Sequence, residues 1–209
     1  MSPIPIILVL GGPEPLRLDV LRQVLALAGP ADTLMLADAG VGAALNHPLF
    51  APVRAGEVSS SGMQSVCACC VPQRGLATAL REATWRFARG GVRQFSRVIV
   101  DSGEGGPAAV LRTLLTEAAV TARYRLAQVI AASDPGEAPG VVDAATASVW
   151  AVADVLAIPV HADLATQHRL RHMVPTARVC TADQVPLDVG GEAAPARAWL
   201  ADAHTPDPF

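Results

Sequence analysis

The feature that most limits how this chain can fold is the unbroken apolar run Pro5-Ile6-Ile7-Leu8-Val9-Leu10. It is short and rich in branched residues, so it reads as a strand buried on both faces, as in a parallel sheet. Gly11-Gly12-Pro13-Glu14-Pro15 is a turn. Apolar residues then recur at 16, 20, 21, 24, 25 and 28, the spacing of one helix face, until Gly29-Pro30 stops the pattern. Strand, glycine turn and helix open a β-α-β unit.

The same alternation continues. Thr33 to Leu36 reads as a second strand ending in Ala37-Asp38-Ala39-Gly40, and Asn46 to Glu57 as irregular. Gly75 to Arg89 is helical by its apolar spacing, with Gly90-Gly91 as its stop. Arg97 to Asp101 is a third strand, followed by a tight loop and a helix opening at Pro107. Further strands are expected at Leu126–Ser133, Val155–Val160 and Ala177–Thr181, and helices within Val141–Ala153, up to His172, and around Ala194–Ala203. The fold class is therefore α/β, a mostly parallel sheet flanked by helices in three layers. One domain is expected over residues 1–190, with residues 191–209 a polar, proline-containing tail. In such sheets ligands bind at the carboxyl ends of the strands, where Asp38, Cys67 to Cys70, Asp101, Asp134 and Asp163 are expected. The stripes at Leu16–Ala28 and Val110–Ala118 are core, and Trp85 and Trp150 are expected to pack rather than to touch a cofactor.

Three of the four cysteines, Cys67, Cys69 and Cys70, fall within four residues just before a helical segment. The helix dipole and Arg74 favour thiolate there. Buried small apolar residues are the plain alternative, but three in four loop positions argue for chemistry, either metal ligation or redox. Cys69 and Cys70 are adjacent and cannot both face one metal without backbone strain, so Cys67 and one of the pair are the ligands expected. Zinc or cobalt suits such donors. Cys180, His161, His168 and His172 are unassigned candidates for completing the set.

Composition narrows the functions. Net charge is −3 and only 4% of residues are aromatic, so no basic, aromatic-studded face for nucleic acid is expected. No apolar run is long enough for a membrane span or a signal segment, which points to a cytoplasmic protein. All 16 basic residues are arginine. Chemistry that requires a lysine is thereby excluded.

Cys67-Ala68-Cys69-Cys70 and its following helix, Val100-Asp101-Ser102-Gly103 with Pro107, and Ala162-Asp163-Leu164 occur in the order and rough spacing of the CobW-type metallochaperone GTPases. The chain resembles that family from Ile6 to about Asp188. The resemblance implies a P-loop G-domain, GTP with Mg²⁺ as nucleotide ligand, and Zn²⁺ or Co²⁺ as cargo. It implies a metal site of Cys67, Cys69 and Cys70 with Asp38, and a client metalloprotein or an intact homologue as partner. It also implies a nucleotide site at Gly11, Arg17, Asp101, Gly103 and Asp163. That site is degenerate in letters. The family's Gly-x-x-x-x-Gly-Lys-Ser/Thr reads here Gly11-Gly12-Pro13-Glu14-Pro15-Leu16-Arg17-Leu18, with Arg17 at the lysine and Leu18 at the hydroxyl position. The base-reading Asn/Thr-Lys-x-Asp reads Val160-His161-Ala162-Asp163. With GTP hydrolysis thus in question, the expected function is metal binding in trafficking or homeostasis. The alternatives are a working GTPase metallochaperone and a non-catalytic regulatory or scaffold subunit.

Overall fold

A computed structural model describes residues 2–53, 74–103, 106–134 and 142–202. Nine strands and eight α-helices are found among the described residues. Seven strands form one parallel sheet: β1 (Ile4–Leu10), β2 (Thr33–Ala37), β3 (Phe50–Pro52), β6 (Arg97–Asp101), β7 (Tyr124–Ala132), β8 (Val155–Ile158) and β9 (Arg178–Thr181). Their spatial order is β3-β2-β6-β1-β7-β8-β9. A two-stranded ribbon, β4 (Ala88–Arg89) and β5 (Val92–Arg93), lies apart from it.

The alternation of β1 builds two cores. Ile4, Ile6, Leu8 and Leu10 enter one, and Ile7 and Val9 the other. The first core is closed by Leu76 and Leu80 of α3 (Arg74–Arg86) and by Val110, Leu111 and Leu114 of α4 (Pro107–Thr116). Val120 of α5 (Ala118–Thr121), Trp150 of α6 (Ala144–Ala151) and Leu170 of α7 (Leu164–Met173) complete it. The second core is closed by α1 (Glu14–Ala28), whose Leu16, Val20, Leu21, Val24, Leu25 and Ala28 are buried as the spacing predicts. Three layers result. Each buried Leu, Ile or Val side chain contributes about 1.5–3 kcal/mol, which makes the sheet's two faces the main source of stability.

Several local expectations are corrected. Strand β3 lies within the stretch Asn46 to Glu57 that reads as irregular, and α2 (Ala39–Leu45) lies just before it, where no element was expected. Gly40 and Gly42 hide α2 from any propensity argument, yet a Cβ on Gly42 would lie 2.2 Å from the Phe50 ring, so the close packing of α2 on β3 requires that glycine. Helix α3 stops at Arg86, and Gly90-Gly91, with φ of 59° and 78°, forms the turn of the β4–β5 ribbon instead. Trp85 does not pack but is 67% exposed, whereas Trp150 is buried and donates from Nε1 to Ser133 Oγ at 3.0 Å. Among the described residues, the segment after β9 is held to the sheet. Arg125 donates to the carbonyls of Val189 and Gly191, Gln128 bonds Pro186 and Asp188, and Ala196 of α8 (Ala194–Asp202) enters the first core.

Candidate functional site

All strand ends face one edge because the sheet is parallel, and β1 lies at its centre between β6 and β7. The crevice beyond β1 is where such a sheet takes a ligand. Its floor is the Gly11-Gly12 turn, with φ of 73° and 65°. Both residues must be glycine for reasons internal to the fold. A Cβ on Gly11 would meet Val149 Cγ1 at 2.7 Å, and one on Gly12 the Ala132 carbonyl oxygen at 2.7 Å.

Asp101 stands beside Val9 in the β1–β6 register, so its side chain opens onto this turn. Arg17 reaches it from the first turns of α1. Arg17 Nε donates to Asp101 Oδ1 at 3.1 Å, and its Nη1 donates to the Gly12 carbonyl at 2.7 Å. The two side chains are only 6% and 2% exposed. Gly103 N–H also donates to Asp101 Oδ1, at 3.2 Å, and the Gly11 N–H donates to the Gly103 carbonyl at 3.0 Å. The result is a closed ring of hydrogen bonds that clasps the turn after β1 to the turn after β6. Gly11, Arg17, Asp101 and Gly103 are thus brought together and bond one another.

The polarity of this clasp is opposite to that of a phosphate cradle. A cradle turns backbone N–H groups toward anionic oxygens. Here the Gly12 carbonyl and the Asp101 carboxylate converge on an internal cation, and the Gly11 N–H is already engaged. The helix N-terminus adds little. Pro13 and Pro15 lack N–H groups, and Glu14 is an acid in the first turn. Leu18, at the hydroxyl position, is packed against the second core. The turn and helix start thus offer no N–H at positions 13 and 15 and no hydroxyl at position 18. Burial pushes the Asp101 carboxyl up from its usual value, offset in part by Arg17 and the Gly103 N–H.

The other candidate residues sit elsewhere on the edge. Asp163 is the N-cap of α7, accepting from the Thr166 N–H at 2.6 Å, and that bond holds its carboxyl below the usual value. Asp38 caps α2 and accepts from the Gly40 N–H at 2.8 Å, one strand over from Asp101. Cys67, Cys69 and Cys70 lie outside the described residues. Among the described residues no three His, Cys, Asp or Glu side chains group as a metal site. Cys180 is buried, and burial pushes its thiol up to about 11. His161, His168 and His172 are exposed, the last two with ring centroids 6.2 Å apart on α7. Sequence reasoning missed the Gly12 carbonyl as a ligand of Arg17. Its signal was the pair of prolines, Pro13 and Pro15, that takes two N–H donors from the turn.

No helix among the described residues is long and apolar enough to cross a membrane. No protein-family model and no curated protein matches the chain. Among solved structures, the fold is similar to that of the Zn(II)-bound YjiA GTPase from E. coli, at 19% identity and a TM-score of 0.54. A Zn(II)-bound triple mutant of the YjiA GTPase is similar at 18% identity and a TM-score of 0.56. Each match covers 91% of this chain and 61% of the other, so the chain spans under two thirds of those proteins. The fold of the sheet and its helices is thus similar to that of these GTPase structures.

Proposed function

We propose that this protein binds a divalent metal, Zn²⁺ or Co²⁺, in trafficking or homeostasis, on a GTPase-type scaffold that no longer takes up nucleotide. The observation that carries the reading is the Arg17–Asp101–Gly12 clasp, which fills the crevice where the scaffold would hold phosphate and Mg²⁺. Cys67, Cys69 or Cys70, with Asp38, supply the metal ligands. Thiolates with one carboxylate fit zinc by donor chemistry. The Zn(II) in the two structural neighbours supports the metal assignment. The metal is cargo, handed to or sensed through a protein partner in the cytoplasm, either a client metalloprotein or an intact homologue. Neither nucleic acid nor a membrane is part of this reading.

Two measurements test it together. Elemental analysis and titration should find about one Zn²⁺ or Co²⁺ per chain, lost in the Cys67→Ala/Cys69→Ala/Cys70→Ala variant. Calorimetry with GTP and Mg²⁺ should find no affinity tighter than about millimolar, the level near −4 kcal/mol. Micromolar GTP binding would return the chain to the working GTPases. Metal retention in the triple variant would remove the cysteine assignment.

A further inference from the structure

Among the described residues the sheet ends in two edge strands, and they differ. Strand β3 is three residues long and ends in Pro52, which blunts it against pairing. Strand β9, Arg178-Val179-Cys180-Thr181, carries no proline and has β8 as its sole sheet neighbour among the described residues. The Arg178 N–H donates to the Asp154 carbonyl toward β8. In a parallel ladder successive residues point their main-chain groups to opposite sides. The Val179 N–H and C=O and the Thr181 N–H therefore point outward.

A cavity of about 430 Å³ lies along this edge, lined by Val179, Cys180, Arg178, Arg171, Gln167 and Gln184 among others, with no carboxylate in its lining. Neither Arg171 nor Arg178 has a hydrogen-bond or ion-pair partner among the described residues. The two guanidinium groups flank the edge from opposite faces. Arg171 rides on α7, whose Leu170 joins Val179 in the first core, while Arg178 shares its strand face with Cys180, which enters the second core. Asp183 follows β9 in a 3-10 turn (Ala182–Gln184) and does not line the cavity.

We infer that the β9 edge is a docking site for an extended acidic segment of a partner protein, which adds to the sheet as a further strand. The added strand bonds the outward Val179 and Thr181 groups. Successive side chains of a strand point to opposite faces, so two neighbouring acids reach Arg171 on one face and Arg178 on the other. A compact anion in the cavity leaves the outward main-chain groups of β9 unpaired. Main-chain pairing supplies affinity and the arginines supply selectivity for acid.

The test uses the full chain and a fluorescein-labelled eight-residue peptide with a central Glu-Glu pair between Thr and Val residues. Anisotropy should show saturable binding, and the amide resonances of Val179 and Thr181 should shift in a ¹⁵N-correlated spectrum. Arg171→Ala and Arg178→Ala should each weaken binding by about tenfold, the loss of one charge-assisted contact. Both arginines are exposed, so circular dichroism should confirm native folding of the variants. N-methylation of alternate peptide amides should abolish binding, and millimolar citrate should not compete. Absence of saturation overturns the inference. So does retained binding of the N-methylated peptide, or equal displacement by citrate, either of which would leave a small-anion cleft only.

Discussion

Removing Arg17 tests the clasp directly. Arg17→Met keeps the apolar stem of the side chain but leaves the Asp101 carboxylate, 2% exposed, with the Gly103 N–H as a donor and no guanidinium, and it leaves the Gly12 carbonyl without its guanidinium. Breaking a buried pair from one side costs about 3–5 kcal/mol, with no discount for solvent because both side chains are buried. Replacing both partners with apolar residues of similar volume is far cheaper, so Arg17→Met/Asp101→Leu should lie within about 1.5 kcal/mol of the parent protein. The single variant should also acquire a pH dependence. Burial already raises the Asp101 carboxyl above 3.8, and loss of Arg17 raises it further. The folded state then holds a proton that the unfolded state has released, so stability falls as pH rises from the unfolded value through the folded one. The gap between variant and parent should be wider at pH 8 than at pH 5. Urea unfolding followed by circular dichroism measures all of this. A single-variant cost under about 1 kcal/mol, or a double variant as costly as the sum of the singles, would refute the clasp. Arg17 would then be free to meet a phosphate, and the argument against nucleotide would fall with it.

Other consequences follow from the same geometry. Gly12→Ala should destabilise by about 2–4 kcal/mol, since φ is 65° and the new Cβ would meet the Ala132 carbonyl at 2.7 Å, and chemical denaturation reads the loss. The Cys180 thiol, buried and pushed up to about 11, should be alkylated by iodoacetamide far more slowly in the folded protein than in urea, as peptide mass spectrometry at that site would show. Burial lowers His47 below 6.5, opposed by its bond to Leu49, so the unfolded state takes up the proton first. Stability should therefore fall as pH drops below about 6.5, and a His47→Gln variant should flatten that slope in pH-dependent unfolding.

How much of this was legible in the sequence varies with the physics behind each element. Ile6 to Leu10 and Leu16 to Ala28 could be read because burial on both strand faces, or on one helix stripe, leaves a period in the letters. Helix α2 could not, because Gly40 and Gly42 weaken its propensity and only the contact of Gly42 with Phe50 explains them. The exposure of Trp85 was equally hidden, since α3 carries its apolar stripe at Leu76, Leu80 and Ala83, and Trp85 lies off that stripe. At the site, the letters located Gly11, Arg17, Asp101 and Gly103 at one edge. They were silent on whether Arg17 points outward to a ligand or inward to Asp101, because that depends on a non-local register, Val9 beside Asp101, which no local pattern encodes.

That register also accounts for the residues that surround the crevice beyond β1. Gly11 and Gly12 stay because Val149 and Ala132 crowd them. Asp101 is ionised at a buried strand end only with a cation beside it, and Arg17 is that cation. An Arg17→Lys change is therefore not a return toward nucleotide binding. A lysine cannot reproduce the fork that spans Asp101 Oδ1 and the Gly12 carbonyl, and Pro13, Pro15 and Leu18 would still withhold the N–H donors and the hydroxyl. Restoring a cradle requires changing the turn and the helix start together. The surviving glycines and the acid are thus explained by packing and charge pairing within the fold, without appeal to a ligand.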